Sequence, residues 1–174
     1  MTARRRSMGD SGAMGKQLSV INVAQLRHPL TDRRMAAFVD GIDSINRLAE
    51  ASPGFVWRRA GVAGHSALLA GSDGDLIVNV SIWQTYLDFH TFTYHGAHGR
   101  YFTARERWFV PIPGPTTALW WISEDDRPNV DHALARLRAL RREGPSERAF
   151  TVLRQWDAQG HPVRRAGRPH RGRR

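Results

Sequence analysis

"LIVNVSIW", residues 76–83, is the stretch on which the fold turns. Its valines and isoleucines suit a pleated strand, and side chains on a strand point alternately to its two faces. Leu76, Val78, Val80 and Ile82 therefore share one face, while Ile77, Asn79, Ser81 and Trp83 share the other. A sheet with one side in water shows polar residues on that side, yet here both faces are largely apolar. The segment reads as the strongest strand of the chain, with Asn79 as a polar group that must find a hydrogen-bond partner if buried.

The neighbouring segments alternate around it. "QLSVINVAQL" (17–26) reads as a first strand and "GFVWRR" (54–59) as a second, with "AGVAGHSALLAGSDGD" (60–75) a glycine-rich loop or ragged hairpin leading into residue 76. Between the first two strands, Met35, Phe38, Val39, Ile42, Ile45 and Leu48 recur at helical steps, with Thr31 or Asp32 as N-cap and Pro53-Gly54 beyond the end. Downstream, a second helix is predicted from Thr85 to Phe109, stopped by "PIPGP", then a strand in "TTALWWIS" (116–123). "NVDHALARLRALRREG" (129–144) is a third helix capped by Asn129 or Asp131 and closed by Gly144, and "AFTVLRQW" (149–156) is read as a last short strand.

The order β-α-β-β-α-β, plus a C-terminal helix, predicts an α+β, ferredoxin-like antiparallel sheet with helices on one face. The other face would then expose more apolar surface than a small monomer carries. A homodimer with facing sheets is therefore expected.

The 174 residues suit one domain, placed at 17–156 between disordered basic tails at 1–16 and 157–174. Of the net charge of +10, the N-terminal segment 1–16 holds +3 and the segment 154–174 holds +6, leaving +1 on the body. A domain that grips a phosphate backbone carries its charge on a folded face; the tails allow at most weak, non-specific nucleic-acid contact. The absence of cysteine excludes disulfides and thiol nucleophiles and fits a cytoplasmic location. Nothing approaches a signal peptide or a membrane-spanning stretch, so no membrane partner is expected.

One segment of the second predicted helix stands out. In "TFTYHGAHGRYF" (91–102), Gly96 and Gly99 flank His98, each costing about 1 kcal/mol against alanine in a helix. If the helix is continuous, His90, Tyr94, His98, Tyr101 and Arg105 share one stripe of rings with polar tips, which suits a pocket. If it breaks, His98 caps a helix end or satisfies a carbonyl instead. As a pocket residue His98 is the natural proton-handling group near neutral pH. His95 and His98 lack a third ligand, so no metal is expected. Asn22 and Asn79, polar within apolar strands, either direct amides into the pocket or secure strand edges. His65, in the glycine-rich loop, is a candidate for a lid. No phosphate-binding loop, dinucleotide fingerprint, nucleophile elbow or zinc-protease motif occurs.

"GFVWR", "LIVNVSIW", "AHGRYFTARERWF", "PGPTTALWWI" and "ALARLRALRREGPSERAFT" together resemble the domain-of-unknown-function family 3291 over residues 17–152. More broadly, "VSIWQTYLDFHTFTYHGAHGRYF" resembles the dimeric α/β-barrel superfamily of antibiotic-biosynthesis and haem-degrading monooxygenases. The resemblance implies a ligand pocket between sheet and helices. It further implies a small apolar or aromatic substrate, oxygenated, cyclised or isomerised without a required cofactor. Asn22, Trp83 and His98 match the residues that orient such substrates, with His90, Tyr94, His95, Tyr101, Phe102, Arg105 and Asn79 around the pocket. Haem handling is one alternative, although Phe102 stands where haem degraders carry their ligand; a non-catalytic metabolite-binding dimer is another.

Overall fold

The computed structural model describes residues 15–71, 73–95 and 105–163. Six strands, β1 (Lys16–Leu26), β2 (Phe55–Arg58), β3 (Ala67–Leu69), β4 (Leu76–Trp83), β5 (Phe109–Val110) and β6 (Thr117–Ser123), form one sheet. Among the described residues three α-helices accompany it: α1 (Ala36–Glu50), α2 (Tyr86–Tyr94) and α3 (Val130–Glu143). β1 and β4 are its centre, paired antiparallel from Leu18 opposite Trp83 to Gln25 opposite Leu76. β2 and β3 pair with the two ends of β4, while β6 and β5 pair with the two ends of β1 on its far side. Each edge is therefore one interrupted strand, and the sheet keeps the fully antiparallel ferredoxin-like order.

The interruptions have local causes. On one edge Arg59 N still donates to Val80 O (3.0 Å) and Ser66 N to Val78 O (2.9 Å), and residues 60–65 loop out between them. The Ser66 hydroxyl fills the gap in the ladder, accepting from Val80 N and donating to Arg59 O, both at 2.9 Å. On the other edge Pro111, Pro113 and Pro115 lack the N–H that a ladder needs. "PIPGP" thus breaks an edge strand, where the sequence pattern had it stopping a helix.

α2 is shorter than expected. Thr85 Oγ1 caps it by accepting from Asp88 N (3.1 Å), but it closes at His95, whose backbone is extended (φ −118°, ψ 142°). Residues Arg105–Arg107 form a separate 3-10 turn and Phe109 belongs to β5, so the continuous helix to Phe109 does not exist. Thr91 and Thr93 lower helix propensity on the approach to Gly96, and with only α2's short apolar face packed, propensity decides. "AFTVLRQW" is also corrected: it makes isolated bridges, Phe150 with Leu119, Ala149 with Ser146 and Trp156 with Pro162, and no regular strand.

Side-chain alternation separates two cores. One face of the sheet carries Leu18, Val20, Asn22 and Ala24 of β1 beside Trp83, Ser81, Asn79 and Ile77 of β4, and α1 and α2 lie over it. The opposite face carries Ile21, Val23, Val78, Val80, Ile82 and Trp120, and α3 covers it with Ala133, Leu137 and Leu140. The expectation of facing sheets rested on this face being bare. The chain covers its β1, β4 and β6 part with its own third helix, placed after the β-α-β-β-α-β core.

Candidate functional site

Between the first face of the sheet and helices α1 and α2 lies a cavity of about 600 Å³. Its two ends are aromatic. At one end Trp83 meets Phe55 edge-on (ring centroids 5.3 Å apart) and stacks with Phe92 (5.1 Å), its indole N–H donating to Ser81 Oγ at 3.1 Å. At the other, Phe38 lies against Trp108 (5.6 Å) and edge-on to Phe109 (5.2 Å).

A polar row crosses the sheet between these ends. Asn22 of β1 stands opposite Asn79 of β4 on one side and Thr117 of β6 on the other, so three polar side chains follow one another across three strands. Asn22 Nδ2 donates to Thr117 Oγ1 (3.0 Å), and Asn79 Oδ1 is 3.1 Å from His65 Nδ1. All four residues line the cavity. A cavity with apolar walls and a few convergent polar groups is the usual form of a small-molecule site.

His65 reaches the row because of the loop that interrupts the edge strand. Ala63 and Gly64 both take the left-handed region (φ 48° and 79°), which turns the chain back over the sheet. The Gly64 carbonyl is held there by Asn46 Nδ2 of α1 (2.9 Å). The imidazole is 5 % exposed and lies parallel to the Phe38 ring, centroids 5.8 Å apart. Because the amide oxygen of Asn79 can only accept, Nδ1 carries the proton and Nε2 is left with a lone pair. Among the described residues that buried nitrogen has no hydrogen-bond partner. Burial pushes the His65 pKa down, the Asn79 bond opposes this, and the charge of Arg58, itself paired with Glu50 Oε1 at 2.7 Å, pushes it down further.

The sequence pattern described as Domain of unknown function (DUF3291) matches residues 17–166. The chain belongs to this family. No curated protein matches its sequence. Among solved structures, this DUF3291 protein is similar to Rv0793 from Mycobacterium tuberculosis, with 12% identity over 65% of this chain and 99% of that one and a TM-score of 0.43. It is also similar to SnoaB, a cofactor-independent oxygenase from Streptomyces nogalater (14% identity, 67% and 98% coverage, TM-score 0.40). A third is a monooxygenase from the gene ActVA-Orf6 of Streptomyces coelicolor in complex with the ligand nanaomycin D (16%, 66% and 92%, 0.35).

Of the residues the sequence pointed to, the DUF3291 chain brings Asn22, Asn79, Trp83, Tyr94 and Arg105 to the cavity wall. His90 packs between the Tyr86 and Tyr94 rings (5.6 and 4.8 Å), and His95 lies beside it at 5.8 Å; neither is among the lining residues. His98, Tyr101 and Phe102 lie outside the described residues, as do the basic segments at 1–14 and 164–174. Among the described residues there is no cluster of three potential metal ligands and no helix long and apolar enough to cross a membrane.

Sequence reading gave His65 a place in a lid, whereas it is a wall residue bonded to Asn79. A hairpin turning at 70–75 sets Ala67 against Val78 and, counting back, Ser66 against Asn79; His65 falls outside that register and reaches Asn79 only because the loop at 60–65 turns back over the sheet.

Proposed function

We propose that this protein binds a small, largely apolar and planar molecule in the cavity and acts on it without a bound cofactor, by oxygenation, cyclisation or isomerisation. The row Thr117–Asn22–Asn79–His65, set between two aromatic ends, carries the reading. Asn22 and Asn79 are suited to hydrogen-bond a carbonyl or hydroxyl of the ligand, and Trp83 and Phe92 to stack on its rings.

Naphthol serves as a planar hydroxylated probe, and Trp83 and Trp108 in the wall make tryptophan emission the readout. Saturable quenching is expected for the wild-type protein, weakened at least several-fold by Asn22→Leu. Absence of saturable quenching would overturn the reading. A Soret band on adding haemin that disappears in His65→Gln would favour haem binding instead, since an imidazole held through one nitrogen and bare at the other is also the form that ligates metals.

A further inference from the structure

The geometry points to His65 Nε2 as the proton acceptor of this cavity, and hence to a ligand that presents an acidic hydroxyl, a phenol or an enol, at that point of the wall. The inference rests on the proposed small-molecule reading and adds the group that receives the proton.

Three independent features of the fold converge on that nitrogen. The left-handed pair Ala63 and Gly64 places the ring over the sheet. Asn79 Oδ1, 3.1 Å from Nδ1, fixes the tautomer that leaves Nε2 bare. Phe38, parallel to the imidazole at 5.8 Å, holds the ring plane. A buried acceptor must be paired, and no described residue pairs this one, so its donor comes from the cavity, a water when the site is empty and a ligand when it is filled. A hydroxyl is the donor that such a cavity selects, because an apolar ligand lacking it leaves Nε2 unpaired. Discrimination of this kind, by an unpaired polar group in the site, exceeds what shape alone achieves.

In the step proposed, the ligand O–H bond breaks, the proton moves to Nε2, and the electron pair stays on oxygen. The products are an imidazolium and a phenolate or enolate. The Asn79 oxygen stays on Nδ1–H throughout, and the phenolate formed beside the ring offsets the burial that otherwise disfavours the imidazolium. No oxidant is consumed. The resulting electron-rich ring is the species on which a later oxygenation or cyclisation would operate.

The test compares phenol with its O-methyl ether, anisole, binding to the full chain, together with nitrogen NMR of the histidine-labelled protein. Wild type is expected to bind the phenol at least tenfold more tightly than the ether. His65→Phe is expected to bind both with equal affinity. In Asn79→Asp a carboxylate beside Nδ1 favours the charged imidazole, so Nε2 becomes a donor and the preference for the neutral phenol is lost. The ligand-free wild-type protein should show Nδ1 protonated and Nε2 bare at neutral pH. Equal binding of phenol and ether to wild type would overturn the inference while leaving the cavity reading intact, and so would an Nε2-protonated ring. Failure of both probes to bind would overturn the cavity reading and the inference with it.

Discussion

His65 is held neutral by what surrounds it, and that has a consequence for stability. Its pKa in the folded chain is lowered, chiefly by burial, whereas in the unfolded chain it sits near the ordinary value of about 6.5. Between the two values the unfolded chain binds the extra proton and the folded chain does not, so stability rises with pH through that window. Acidification below about 6.5 should therefore lower the melting temperature more steeply in wild type than in His65→Gln. Parallel pH profiles for the two proteins would show that this ring is not desolvated. Asn79 could be found from sequence because it is the polar break in an apolar strand. His65 could not, because its role depends on a loop that folds back over a strand distant in the chain, and glycine-rich loops carry no periodicity to reveal where they point.

Among the elements, α1 and α3 were legible because each repeats its apolar positions at helical steps, and β4 because its run of valines and isoleucines suits a strand. Asn129 Oδ1 accepts from His132 N at 2.8 Å, as its place before α3 implied. α2 failed because its sequence gives little beyond an N-cap, and Thr85→Ala should cost about 1 kcal/mol of stability by leaving Asp88 N without its acceptor. The loop at 60–65 carries a sharper prediction. A Cβ at Gly64 would fall on the Ile42 side chain and close to Asn46 Nδ2, at a backbone conformation (φ 79°) that L-residues rarely adopt. Gly64→Ala should lower stability by about 1–3 kcal/mol, read as a lower denaturation midpoint in urea. It should also weaken hydroxylated ligands, since the residue it displaces next is His65. A variant with unchanged midpoint and unchanged affinity would mean the loop does not position the ring.

At the scale of the whole molecule, one chain lays helices on both faces of the sheet, where the sequence pattern had placed them on one. The pattern showed correctly that both faces of β4 are apolar, but it assigned all cover to helices preceding β6. α3 comes after the β-α-β-β-α-β unit, and only the register of β1 with β6 shows that Leu137 and Leu140 close over Ile21, Val80 and Trp120. Leu137, 2 % exposed, is central to that layer. Leu137→Ala should cost about 2–5 kcal/mol, the range for truncating a buried leucine. Opened further by Leu137→Asp, the layer should expose the valines and isoleucines beneath it and drive concentration-dependent association, measured by sedimentation velocity. Ala135, exposed on the outer side of the same helix, is the control: Ala135→Glu should leave the sedimenting mass as it is in wild type. If Ala135→Glu changes the mass, the outer side of α3 is itself an interface between copies. If Leu137→Asp stays folded and unassociated, α3 is not what keeps the second face of the sheet from water.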